Sequence, residues 1–240
     1  MKKIKWEYVA GAVSVLLLCV AIFMGVQYLK EREQYRVSEE EYQALIDDAI
    51  ESKHKVVHTY TGNSDVSMVQ QDPTAVSYSL PSLAIDFRKL LATNEDCIGW
   101  IYIPSLDVSY PIAQSHDNDE YVHTTFNRTE NLAGCIFSDC RITAPFIQKT
   151  ILYGHNMKNG SMFHKLFNIE TNPEENSDIW IYLPTGAIYH YKVQEVKRVD
   201  RLDKSVYGIS ATYDETLVLS TCIKDNTRLV VIAVRDWSYS

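Results

Sequence analysis

Hydrophobic and polar positions divide the chain into stretches of different character. From Tyr8 to Leu29 no charged residue occurs, and the segment centres on Val13-Ser14-Val15-Leu16-Leu17-Leu18-Cys19-Val20-Ala21-Ile22-Phe23. These 22 residues form a helix long enough to cross the hydrocarbon core of a bilayer. Glu31 to Lys55 is rich in Glu, Gln, Lys and Arg, with Tyr42, Leu45, Ile46, Ala49 and Ile50 at helical spacing. That pattern predicts an amphipathic stalk helix, with Ser38 and Glu41 as a capping box. Its apolar stripe is expected to pack on the domain that follows rather than on a second copy. Thr59 to Ser82 is polar and irregular and reads as a linker. Ser82 is then expected to cap a short helix with Leu83, Phe87, Leu90 and Leu91 on one face.

From Cys97 onward the pattern changes to short apolar and β-branched runs. Eight strands are predicted: Ile98–Ile103, Val108–Ile112, Cys135–Ser138, Lys149–Tyr153, Ile179–Leu183, Ala187–Lys197, Glu215–Thr221 and Arg228–Arg235. Pro104, Pro111, Gly154, Pro184-Thr185-Gly186 and Asp225-Asn226 punctuate them. One short helix, Ser161 to Phe167, interrupts the series. Eight short strands with few helices predict a mostly β domain, a closed or nearly closed eight-stranded barrel. The expected organisation is an N-terminus and transmembrane anchor over 1–30, a helical stalk and linker over 31–82, and a single domain over 83–240. No internal repeat or low-complexity tract is evident.

Composition narrows the partners and the location. The net charge of −8 argues against nucleic acid, which rewards clustered Lys and Arg. Lys2, Lys3 and Lys5 favour a cytoplasmic N-terminus and an extracytoplasmic domain, with Trp6, Tyr8 and Tyr28 as interfacial aromatics. A cleaved signal peptide fits less well, because Met24-Gly25-Val26-Gln27 is a poor cleavage site. Five cysteines are present. Cys135 and Cys140 could pair outside the cell, though nothing in their spacing demands it. There is no C-x-x-C pair, so a zinc site is not expected.

The chemistry concentrates at two strand ends. Thr216-Leu217-Val218-Leu219-Ser220-Thr221-Cys222 is an apolar run closing on a cysteine, and Arg228 opens the next strand after a short connection. If the two strands form a hairpin, Cys222 and Arg228 share one end. A guanidinium there can stabilise a thiolate or the oxyanion of an attacked carbonyl. Thr150-Ile151-Leu152-Tyr153-Gly154-His155-Asn156-Met157 is a second strand ending at a turn. His155 there could give and take protons at an amine. Singly, each residue has a plainer reading: a buried thiol, a turn histidine, a solvated arginine. His54, His58, His116, His123, His164 and His190 read as structural or surface residues.

Together these segments resemble the sortase family, class B. Thr216–Cys222 is similar to the signature T-L-x-T-C with one extra residue, so that Leu219-Ser220-Thr221-Cys222 is the core match. Tyr153-Gly154-His155-Asn156-Met157 with Gly160-Ser161-Met162-Phe163 resembles the segment around the family's catalytic histidine. Ile98–Pro104, Tyr110–Gln114, Asp117–Tyr121 and Gly134–Asp139 also fit. The resemblance spans about Leu83 to Arg235 and implies an eight-stranded sortase-type barrel preceded by N-terminal helices. It implies Cys222 as nucleophile, His155 as general acid and base, and Arg228 as oxyanion or substrate donor. Tyr153, Ser220 and Thr221 would line the peptide groove. The implied reaction cleaves the C-terminal sorting signal of a secreted protein after Thr and transfers the protein to an amine of a peptidoglycan precursor. Two features depart from the family pattern: Cys222 and Arg228 lie close together in sequence, and Arg198 to Asp214 is short.

Three other classes remain in comparison. An L,D-transpeptidase would carry Ser-x-Gly-Cys, which is absent. A papain-like wall hydrolase puts its Cys at a helix start and before its His, the reverse of the order here. A non-catalytic, membrane-tethered binding domain would keep its function when Cys222 is replaced.

Overall fold

The structure, a computed structural model, describes residues 6–50, 81, 83–209 and 212–239. Helix α1 runs unbroken from Trp6 to Ala49, 44 residues, or about 66 Å at the helical rise. The sequence divides anchor from stalk, but the helix does not. No proline or other helix breaker lies between Leu29 and Ser38, so nothing stops the ladder there. Ser38 is therefore no cap. It sits inside the helix and donates its hydroxyl to the Tyr35 carbonyl, while Glu41 receives Thr125 and Thr129 from the barrel. The expected linker lies outside the described residues apart from Pro81, as does the Ser82 cap. The next helix, α2, spans Phe87–Thr93 and is capped by Asp86, whose side chain accepts from the Arg88 N–H. Leu83 precedes this helix, and Ile85 instead bridges to Ile50.

All eight expected strands form: β1 Cys97–Ile103, β2 Val108–Ala113, β3 Ile136–Ser138 and β4 Thr150–Tyr153. They continue with β5 Asp178–Tyr182, β6 Ile188–Asp200, β7 Thr216–Lys224 and β8 Thr227–Tyr239. Helix α3, Phe167–Thr171, follows a 3₁₀ turn at Phe163–Leu166, so the expected helix from Ser161 starts later and runs further. Helix α4, Lys204–Tyr207, lies between β6 and β7. The strands close into a barrel in the order β1-β2-β3-β4-β7-β8-β6-β5. Two of its seams are parallel, β2 with β3 and β4 with β7. Leu183-Pro184-Thr185-Gly186 makes the β5–β6 turn. Gly186 takes φ +89° there and donates its N–H to the Leu183 carbonyl at 2.9 Å.

The core divides along strand alternation. Leu152, Leu217, Leu219, Leu229 and Val231 belong to the main buried cluster with Trp100, Ile101 and Ile112. Their alternates Ile151, Val218 and Val230 form a second buried cluster with Ile142, Val199, Val206 and Tyr207. β4, β7 and β8 are thus buried on both faces, which is why β7 reads as a continuous apolar run. Helix α1 packs on the barrel through Tyr42, Leu45 and Ala49. The Tyr42 ring meets Tyr110 edge-on at 5.4 Å, and its hydroxyl donates to the Gly134 carbonyl.

Candidate active site at the ends of β4, β7 and β8

Strand registers decide which side chains meet. In the parallel β4–β7 seam Tyr153 pairs with Ser220. Two residues beyond each pair partner come His155 and Cys222, on the face that Tyr153 and Ser220 share. In the antiparallel β7–β8 hairpin Cys222 pairs directly with Arg228, a spacing that leaves Cβ atoms about 5 Å apart. The short Cys-to-Arg separation is thus what a tight hairpin requires. All three residues border one pocket of about 370 Å³, with Asn118, Val122, Phe137, Tyr153, Arg201, Tyr207, Ser220 and Thr221. The pocket continues the second cluster and lies on the outer face of the strands, not in the barrel interior.

Each side chain is held differently. Cys222 is exposed, whereas Cys97 and Cys135 are buried. Burial pushes the Cys97 thiol up to about 12, and raises that of Cys135 as well. No disulfide joins Cys135 to Cys140. His155 is half-buried, and its Nε2 lies 2.7 Å from the Val122 carbonyl. A carbonyl only accepts, so Nε2 carries the proton and Nδ1 is left as the basic nitrogen. Burial lowers the His155 pKa below its ordinary 6.5; the Val122 bond opposes this, while His123 and Arg228 reinforce it. The shift favours the neutral imidazole. Arg228 is half-buried, and its Nη1 reaches only the Asp225 and Thr227 carbonyls, both at 3.4 Å. Among the described residues no carboxylate pairs with it.

Gly154 is there for space rather than for backbone freedom. A Cβ at this position would lie 2.5 Å from Ile136 Cδ1 and 2.7 Å from Phe163 Cδ2. Its N–H extends the seam by donating to the Ser220 carbonyl at 3.2 Å. The residues after His155 close through an Asn156–Met162 bridge, with His164 Nδ1 2.6 Å from Asn156 Oδ1.

The groove residues separate by strand face. Tyr153 lines the pocket, and its hydroxyl donates to Asp139 Oδ2 at 2.8 Å. Asp139 is buried, which acts to raise its pKa. Bonds from Arg141 and Tyr153 outweigh that and hold it below the usual carboxylate value. Ser220 meets the Tyr207 hydroxyl at 2.8 Å. Thr221 borders the pocket, but alternation turns its side chain inward. Its Oγ1 is buried with no hydrogen-bond partner among the described residues.

The sequence reading misses Tyr207, Val122, Asn118, Phe137 and Arg201, because only tertiary folding delivers them. It also reads His123 as a structural or surface residue. His123 is exposed, but its ring stacks on His155 at 5.9 Å and 20°, so it belongs to the surroundings of the site. No alternation or motif marks it. Among the described residues no three His, Cys, Asp or Glu side chains converge as a metal site.

An eight-stranded barrel with a Cys, a His and an Arg at one strand end defines a class of barrel proteins with a thiol-centred site. Comparison with known proteins carries this further. The sortase domain family model matches residues 101–236, and the chain belongs to the sortase family. Sortase B of Listeria monocytogenes is 40% identical over 164 residues, 66% of this chain and 64% of that protein. Sortase B of Staphylococcus aureus is 29% identical over 119 residues, 47% of this chain and 49% of that protein. The X-ray structure of Clostridium perfringens sortase B shares the fold, with a TM-score of 0.57 and 23% identity over 62% of this chain and 99% of that chain. The relatives are class B sortases, and the chain is of that class. Its match spans 64% and 49% of the length of the two curated relatives.

Proposed function

We propose that the chain is a membrane-anchored cysteine transpeptidase that cleaves a C-terminal sorting signal of secreted proteins after Thr. Cys222 Sγ attacks the Thr carbonyl carbon and gives up its proton to His155 Nδ1. The carbon–sulfur bond forms, and Arg228 donates to the oxygen that gains charge. The peptide C–N bond then breaks, and His155 returns the proton to the departing amine. A thioester remains. An amine of a peptidoglycan precursor attacks it, His155 accepts the amine proton and passes it to the departing sulfur, and the thiol is released with a new amide in place. Tyr153 and Ser220 line the groove, and Thr221 contributes its main chain. No metal or organic cofactor enters the scheme.

The observation that carries this reading is the parallel β4–β7 register, which supports a shared face for His155 and Cys222 with Arg228 across the hairpin. Membership of the sortase family supports the reaction class. Helix α1 contains an 18-residue window apolar enough to cross a membrane, none of it buried. This supports a single span, and Lys2, Lys3 and Lys5 ahead of it support an N-terminus in the cytoplasm with the barrel outside. The test uses the full chain in detergent with a sorting-signal peptide library and added amines. Cleavage with amine-dependent ligation, lost in Cys222→Ala, is expected. Turnover that survives Cys222→Ala overturns the nucleophile, and binding unaltered by that change without any turnover favours a binding module.

A further inference from the structure

Helix α1 leaves no spacer between its apolar segment and the barrel. The apolar segment ends at Leu29, and the face turned to the barrel begins at Glu31. Residues 31, 35, 38, 41, 42, 45, 46 and 49 are buried or half-buried in helical register, while the others between 31 and 49 are exposed. Besides β2, whose Tyr110 packs on Tyr42, the barrel segments that meet this face include the two that hold His155. Beyond His155, Lys158 Nζ pairs with Glu31 at 2.8 Å and Asn159 donates to Glu39 at 2.7 Å. Beyond Val122, whose carbonyl holds the His155 ring, Thr129 donates to Glu41 at 2.9 Å and Asn131 to the Gln34 carbonyl at 3.1 Å. Gly134 accepts from Tyr42. Every one of these links falls between Glu31 and Tyr42. Those positions stand about 3 and 20 Å beyond Leu29 along the helix axis.

We propose that α1 is a fixed-height strut that seats the Lys158–Asn159 loop on the lipid headgroups, so that the site acts on substrates held in the same bilayer. The interaction surface is this loop together with the first turn of α1 after Leu29, and its partner is the outer bilayer surface. A headgroup layer is roughly 5–8 Å deep on each side, and Lys158 pairs with a residue only about 3 Å beyond the apolar segment. Its ammonium, at the end of a side chain that is 79% exposed, is then level with the headgroups. The inference rests on the membrane reading above and adds to it a height and a consequence. A peptide free in solution reaches the pocket at any height, whereas a bilayer-held substrate reaches it only at this one.

The test inserts seven helix-forming residues between Leu29 and Lys30 of the full chain. Two turns lift the barrel by about 10 Å with nearly unchanged facing. Height is read without activity: Lys158→Cys carries a donor fluorophore in a Cys19→Ser, Cys140→Ser, Cys222→Ser background. Vesicles of phosphatidylcholine and phosphatidylglycerol carry acceptor-labelled headgroups. The expected closest approach is within about 20 Å, lengthening by about 10 Å on insertion. An approach beyond about 40 Å, no change on insertion, or failure of the chain to float with vesicles overturns the proposal. With Cys222 intact, insertion is expected to leave soluble-peptide cleavage unchanged and to slow cleavage of a bilayer-anchored substrate at least tenfold. Equal slowing of both refutes the height argument. Absence of soluble-peptide cleavage in the parent refutes the transpeptidase reading, while energy transfer still decides the height.

Discussion

Replacing Gly154 with Ala probes how the site is positioned. The added methyl would stand 2.5 Å from Ile136 Cδ1 and 2.7 and 2.8 Å from two ring atoms of Phe163. Both neighbours are fully buried, so neither side chain can swing into solvent. The overlap must be relieved by backbone movement at the residue that precedes His155. Overpacking of this kind costs about 1–3 kcal/mol, which lowers Tm by about 3–9 °C in a chain of this size. Displacement of the imidazole by even part of an ångström should add a kinetic loss, up to about 100-fold in kcat. Thermal unfolding by circular dichroism and peptide turnover measure the two effects. Gly160→Ala is the control: φ is +89° there, but nothing lies within 4 Å of the added methyl. It should cost about 1–2 kcal/mol of backbone strain with little change in turnover per folded molecule. If Gly154→Ala melts and turns over like the parent, close packing does not set the place of His155.

Three further outcomes follow from the same geometry. His155 should titrate below its ordinary 6.5, read from its imidazole signals by NMR. Because the unfolded chain then takes up the proton first, its contribution to stability is full above pH 6.5 and declines as pH falls below it; a midpoint above 6.5 refutes the burial argument. Asp139→Asn should destabilise by about 2 kcal/mol in urea unfolding, discounted for the half-exposed Arg141, since it breaks a buried carboxylate's bonds to Arg141 and Tyr153. The depressed Asp139 value also makes the parent lose stability on acidification below the unfolded carboxylate range, and the variant should lose less there. Iodoacetamide should label Cys222 before Cys97 and Cys135, as followed by peptide mass spectrometry, because those two thiols are buried and their pKa values raised.

What the sequence disclosed and what it withheld follows from the range of the forces involved. The eight strands are legible because alternation and turn residues act within a few positions, and Cys222 with Arg228 is legible because a hairpin joins neighbours in sequence. The meeting of Cys222 with His155 depends on a parallel seam between strands far apart in the chain. No local pattern encodes such a seam, and a shift of one residue would turn His155 to the opposite face. The same limit hides Val122 and Tyr207, which reach the pocket from a 3₁₀ turn and a four-residue helix. At α1 the local signals misled in the other direction. Ser38 and Glu41 have the spacing of a cap, yet Tyr42, Leu45 and Ala49 dock on the barrel in phase with the buried face that begins at Glu31. Packing along that whole face favours one continuous helix over a stop at Ser38, since a break would shift the docking stripe out of phase with the anchor. The element that reads as two pieces in sequence is therefore one in three dimensions, and the docking of the barrel ties it to the loops around His155.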